Sequence, residues 1–270
     1  MSEEIDLVMS GSGTLLPCHV GAYAALVDAG YRVRRIAGTS GGSIVAAGIA
    51  SGLGAEAMLG LAKDVLSGGL LETNWFLWNG FGLNKMGKIR ALLAANFPGR
   101  MADTKIPFCV FAVDVETQSP VLFSRETFPS APIADVCTAS AAIPIFFQAQ
   151  RVKTASGLFV DGGIRANFAM AVFDDVVDRR TVGIRFRHTH RRRQVTDVRS
   201  YVGALMGTLI DSANHTYVSK KRWADVIEVD SKGDGMDFTL SDDEVQSLYD
   251  EGYDAASLWS ATRGGDARIL

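Results

Sequence analysis

Twice within the first fifty residues, a short apolar run breaks into a glycine-containing turn and apolar residues then resume at helical spacing. Residues 5–9 (Ile-Asp-Leu-Val-Met) lead into Gly11-Ser12-Gly13, after which Val20, Tyr23, Ala24, Leu26 and Val27 recur before Gly30. Residues 33–37 lead into Gly38-Thr39-Ser40-Gly41-Gly42, followed by the small, uncharged run 43–50. A strand that feeds a helix cannot reach the next strand through a tight hairpin. It must cross over, and strands joined by crossovers pair in parallel with helices on their faces. The expected fold class is therefore α/β: a three-layer α/β/α arrangement around a mainly parallel central sheet. Its active site would lie at the C-terminal ends of the strands.

The rest of the chain fits the same class. Helical spacing covers residues 56–66 and 85–97, and a continuous apolar strand covers 108–115, with 121–123 as its hairpin partner. A short helix at 133–142 precedes a strand at 158–160 that delivers Asp161-Gly162-Gly163. A helix near 171–177, a strand at 181–186, a long helix at 198–221, a strand at 226–229 and a final helix at 241–262 complete the pattern. Only 187–197 and 231–240 read as linkers, and neither marks a boundary. With 270 residues, 47% of them hydrophobic, one domain spanning 1–270 is expected, its motifs lying in about 5–170.

Composition excludes several functions. A formal net charge of -3 gives no global attraction to nucleic acid, and no recognition motif accompanies the local basic run. Cys18, Cys109 and Cys137 are too widely spaced for a metal knuckle and read as buried free thiols of a reducing compartment. There is no HExxH and no CxxC, so nothing resembles a zinc site, and the chemistry the motifs support implies no metal or organic cofactor. The acidic N-terminus lacks the features of a signal peptide, and no run of 18 apolar residues occurs. A cytoplasmic protein is expected, with peripheral membrane contact open. Nothing in the sequence signals an oligomeric state.

Three short motifs carry chemistry. Gly38-x-Ser40-x-Gly42 is the pattern of a nucleophile elbow, where small flanking residues permit a sharp strand-to-helix turn that presents the serine hydroxyl. The motif is weak alone and gains weight from the apolar strand before it and the uncharged helix after it. Gly11-Ser12-Gly13-Thr14 offers backbone N–H groups at a helix N-terminus, suited to an anion. A dinucleotide fingerprint would need glycine where Leu16 stands, and a Walker loop would need Gly-Lys-Ser/Thr. An oxyanion hole fits best. Asp161-Gly162-Gly163 is by default a turn, yet it ends a strand, and Ser40 needs a base. His19 lies in the first helix, His188 and His190 in an arginine-rich stretch, and His215 in a charged helix. None sits in the loop context of a triad histidine, so a serine–aspartate pair is the economical choice.

Together these residues resemble the patatin-like phospholipase family. That family has a glycine-rich oxyanion loop after strand one, a Gly-x-Ser-x-Gly elbow after strand two and a later Asp-Gly-Gly or Asp-Gly-Ala. The resemblance runs from about Leu7 to Asn167. It includes Ala139-Ser140-Ala141-Ala142-Ile143-Pro144, Ala112-Val113-Asp114 and His19-Val20-Gly21. It implies a lipid acyl hydrolase in which Asp161 activates Ser40, an acyl-enzyme forms, and backbone N–H groups of Gly11, Ser12, Gly13 and Gly41 hold the oxyanion. Gly38, Gly42, Gly162 and Gly163 are the elbow and turn glycines. The substrate would be a lipid or phospholipid carboxyl ester. The chain departs from the family at Ser12, Leu15 and Leu16, where a third glycine, a basic residue and another glycine are usual, and Pro17 removes an N–H. That departure motivates a second reading, a catalytically weakened lipid- or protein-binding module. A third is an α/β-hydrolase triad using His188, His190 or His215.

Two surface features remain. Trp75, Phe76, Leu77, Trp78 and Phe81 cluster among glycines and asparagines, and core filling and an interfacial surface suit them equally. Arg185, Arg187, Arg191, Arg192, Arg193 and Arg199, with His188 and His190, form a basic run. A solvated face is its default reading, and a site for lipid phosphates is the sharper one.

Overall fold

The computed structural model describes residues 3–74, 81–176, 178–187, 195–196, 198–213, 224–233 and 235–266. The chain opens with β1 (Glu3–Met9), α1 (Leu16–Asp28), β2 (Tyr31–Thr39), α2 (Gly41–Ser51) and α3 (Ala55–Leu66). A small excursion follows, made of β3 (Glu72–Thr73), β4 (Gly82–Lys85) and α4 (Gly87–Asn96). Next come β5 (Phe108–Asp114), β6 (Ser119–Ser124), α5 (Ile133–Ser140), β7 (Ile145–Phe147), β8 (Phe159–Asp161) and the single turn α6 (Gly163–Ala166). The chain continues through β9 (Arg180–Phe186), α7 (Val198–Ala213), β10 (Ala224–Val229) and α8 (Asp242–Asp266).

The main sheet has the order β10-β9-β1-β2-β5-β6. Its first five strands are parallel, and β6 closes it as an antiparallel hairpin partner of β5. The α/β architecture with a mainly parallel sheet is thus the one expected. Strand side chains alternate between two layers, as the pleat demands. Ile5, Leu7, Met9 and Ile36 face the large core with α1, α2 and α3, whereas Val8 and Ala37 meet Phe168, Met170 and Phe173 on the other face. Helix α2 carries no charge because Gly41 through Ala50 are all buried, so no face of it meets water.

Two features differ from the sequence reading, and a third is a strand direction on which the sequence is silent. Among the described residues of the stretch 171–177, helical geometry is confined to a 3-10 turn, Met170–Phe173. A second sheet, β3-β4-β7, exists without a sequence signal because its strands are two to four residues long. Most consequential, the strand that carries Asp161 is not parallel to its neighbour. β2 pairs with Phe108 to Phe111 of β5, and β8 pairs antiparallel with Ala112 to Asp114. Since β6 occupies the opposite edge of β5 throughout, β2 and β8 share one edge and run towards each other, head to head.

Candidate active site

Ser40 sits where β2 leaves that edge. Its backbone has φ 52° and ψ -129°, a conformation that costs a non-glycine residue about 1–3 kcal/mol and must be held by its surroundings. Three hydrogen bonds hold it. The Ser40 N–H donates to Ser140 Oγ at 2.9 Å, and Ser43 donates to the Ser40 carbonyl from its N–H at 2.9 Å and from Oγ at 2.6 Å. Ser140 Oγ in turn donates to the Phe111 carbonyl at 2.6 Å, tying the elbow to β5. Gly42 abuts the Ser10 and Met9 carbonyls and Gly38 abuts the Gly42 carbonyl, so a side chain at either position would push the elbow off the sheet.

Asp161 arrives from the opposite direction. Ser40 Oγ donates to its Oδ2 at 2.6 Å, while the Gly163 N–H donates to Oδ1 at 2.6 Å. The Asp161 N–H donates to the Ala142 carbonyl at 2.9 Å, and Gly162 packs against the Phe111 carbonyl with no room for a Cβ. Burial pushes the Asp161 carboxyl up to about 6, against the opposing hydrogen bonds from Ser40 and Gly163. It is an anion just above that pH, which suits a base working near neutrality.

The Gly11-Ser12-Gly13 loop closes over the same point. The Gly11 N–H donates to the Asn167 carbonyl at 3.0 Å and is therefore engaged inside the protein. Gly13, at φ +53°, packs beside Gly41. Both are first residues of helical turns, whose N–H groups have no intrahelical acceptor. Both, with Ser40, line one cavity. Ser12 Oγ is buried against Gly41, with no hydrogen-bond partner among the described residues. Leu16 lines the cavity, and Leu15 packs onto Gly233. The remaining wall is apolar and includes Ile44, Val65, Met86, Ile89 and Phe147.

Sequence reasoning missed one wall. Phe238 lies in the stretch 231–240, read as a linker, yet it lines the cavity and stacks on Phe146 with ring centroids 5.5 Å apart. The stretch is fastened at its middle and at its far end: the Gly235 carbonyl accepts from the Thr14 N–H at 3.0 Å, and the Leu240 N–H donates to the Leu66 carbonyl at 3.0 Å. Ser140 was visible only as part of a motif, and its bridging role had no local signal.

Other candidates fall elsewhere. His19 is buried under the glycine loop, where Nε2 donates to the Ser10 carbonyl at 2.9 Å and the ring meets Phe186 edge-on. Burial lowers it to about 4, so it is neutral. His188, His190 and His215 lie outside the described residues, as do Trp75, Phe76, Leu77, Trp78, Arg191, Arg192, Arg193 and the Arg199 side chain. Arg185 and Arg187 pair with Glu228, which they pull below the usual carboxylate range. Cys18 and Cys137 are buried, and burial pushes the Cys109 and Cys137 thiols up to about 12. Among the described residues no three His, Cys, Asp or Glu side chains cluster as metal ligands, and no helix is long and apolar enough to cross a membrane.

The family model described as patatin-like phospholipase matches residues 7–174. The uncharacterized protein YqhO of Bacillus subtilis is 28% identical over 251 residues, which cover 83% of this chain and 86% of that protein. An uncharacterized NTE family protein of Mycobacterium tuberculosis is 25% identical over 187 residues, 68% of this chain but only 30% of the relative. Among solved structures, VipD from Legionella pneumophila superposes with a TM-score of 0.55 at 14% identity, covering 96% of this chain and 67% of that one. The type III effector protein ExoU gives a TM-score of 0.51 at 13% identity, covering 97% of this chain and 53% of its own. These two likenesses establish a shared fold.

Proposed function

This chain belongs to the patatin-like phospholipase family, and on that premise we propose that it is a lipid acyl hydrolase cleaving carboxyl esters of lipids or phospholipids with a Ser40–Asp161 dyad. The observation that carries the reading is the 2.6 Å hydrogen bond from Ser40 Oγ to Asp161 Oδ2 at an apolar cavity. An acyl chain would lie in that cavity, with its ester carbonyl at Ser40. Asp161 takes the Ser40 proton as Oγ attacks the carbonyl carbon. The carbonyl electron pair moves to oxygen, and the N–H groups of Gly13 and Gly41 hold the resulting oxyanion. Collapse expels the alcohol, which takes the proton back from Asp161 and leaves an acyl-Ser40 ester. Water, deprotonated by Asp161, repeats the sequence and releases the fatty acid.

Leu15 and Leu16 fit this reading as wall and packing residues. The charge lost at Leu15 leaves the backbone donors to carry the oxyanion. The test is hydrolysis of p-nitrophenyl butyrate and of phosphatidylcholine vesicles by the native chain, Ser40→Ala and Asp161→Asn. Release by the native chain and silence from both variants is the expected result. A native chain silent on both substrates overturns the hydrolase reading and favours a binding module.

A further inference from the structure

Two exposed residues beside the cavity hold a backbone conformation that neither side chain favours. Phe81 has φ 59° and Ile145 has φ 69°. For a bulky aromatic or a β-branched residue the left-handed region is strained, and such strain persists where a structure has a use for it. The two are neighbours: β4 and β7 pair in parallel, and Gly82, next to Phe81, registers with Ile145. Core packing does not account for them, since Phe81 is 68% and Ile145 45% exposed. The strained turns hold two large apolar side chains out in water.

The patch extends on both sides. Helix α7 packs against β7, and Tyr201, Leu205 and Leu209, spaced by four residues, form one exposed apolar stripe along it. Towards the interior, Ile143 and Phe147 flank Ile145 in the chain and line the cavity that holds Ser40. Ile145 thus stands in the chain between two residues of the inner apolar wall. Patches of this kind mark places where a protein meets an apolar partner, and a tyrosine at the edge suits the border between lipid and water.

We propose that Phe81 and Ile145, with the Tyr201–Leu209 stripe, form the docking face for a lipid surface. Seated there, the cavity mouth meets the lipid phase, and an acyl chain reaches Ser40 without crossing water. What enters the cavity rests on the hydrolase reading above; the docking itself does not.

The test uses Phe81→Asn and Ile145→Gly together, because both replacements tolerate the left-handed backbone and remove apolar reach. In the full chain carrying Ser40→Ala, partition onto phosphatidylcholine vesicles should weaken by about tenfold or more. In the active chain, hydrolysis of soluble p-nitrophenyl butyrate should stay at the wild-type value while vesicle hydrolysis falls with partition. Unchanged partition overturns the proposal, and so does an equal loss on the soluble ester, which would make the two residues part of the site's shape. A chain that ignores vesicles but forms a dimer lost in the variant also overturns it, making the face a contact between copies. If the native chain hydrolyses neither substrate yet its vesicle binding depends on these residues, the hydrolase reading fails and the docking face stands.

Discussion

Ser40 and Asp161 meet because they end two strands that advance on each other along one edge of β5. β2 pairs up to Thr39 opposite Phe111, and β8 pairs down to Asp161 opposite Ala112. The next residue on β2 is Ser40, which turns away at the level where Asp161 arrives. Their 2.6 Å hydrogen bond is therefore fixed by main-chain pairing on both sides.

The raised Asp161 predicts the pH dependence of activity. As the base must be ionised, kcat/KM on a soluble ester should rise about tenfold per pH unit up to a pH of about 6 and level off above it. A profile flat from pH 4.5 to 8 would remove Asp161 from the role of base.

The same group predicts a stability difference. The folded Asp161 sits at about 6 against an ordinary 3.8, so folding favours its protonated form. Its contribution is full at low pH and is lost as pH rises through the window between those values. The loss amounts to about 3 kcal/mol at 1.36 kcal/mol per unit. Asp161→Asn keeps an acceptor for the Gly163 N–H and carries no charge. At pH 8 it should be inactive yet more stable than the native chain, by up to that amount, in urea denaturation. Equal midpoints at pH 8 would show that no such cost exists.

Ser140 joins the elbow to β5, accepting from the Ser40 N–H and donating to the Phe111 carbonyl. Ser140→Ala leaves the buried Ser40 N–H without its acceptor, a loss of about 1–3 kcal/mol. The strained elbow then has one restraint fewer. We expect kcat to fall by about one to two orders of magnitude with KM little changed, since the cavity wall is untouched. A change confined to KM would contradict the bridging role.

Helices α1 and α8 cross with reciprocal glycines: Gly21 lies against the Tyr249 carbonyl and Gly252 against the Cys18 carbonyl. Gly252→Ala forces the helices apart at an overpacking cost of about 1–3 kcal/mol. Thermal unfolding should shift down by about 2–4 °C per kcal/mol in a chain of this size. Gly21→Ala should act alike, and the double variant should lose less than the sum, because one displacement relieves both clashes.

The sequence by itself determined the parallel half of the sheet and the two turns built on it. Gly11-Ser12-Gly13 and Gly38-x-Ser40-x-Gly42 each follow a strand and open a helix, and such turns are written locally in side-chain size and spacing. Their proximity followed as well, since β1 and β2 are consecutive and adjacent. Only the tertiary structure decided that β8 runs antiparallel into the vacancy β2 leaves on β5. Strand direction depends on the path of the chain between Asp114 and Phe159, and an apolar run reads the same in either direction. Ser140 as a bridge, Phe238 as a cavity wall and the turned-out pair Phe81 and Ile145 likewise depend on contacts between residues far apart in the chain. Periodicity records which residues are apolar, and only packing decides which of them meet.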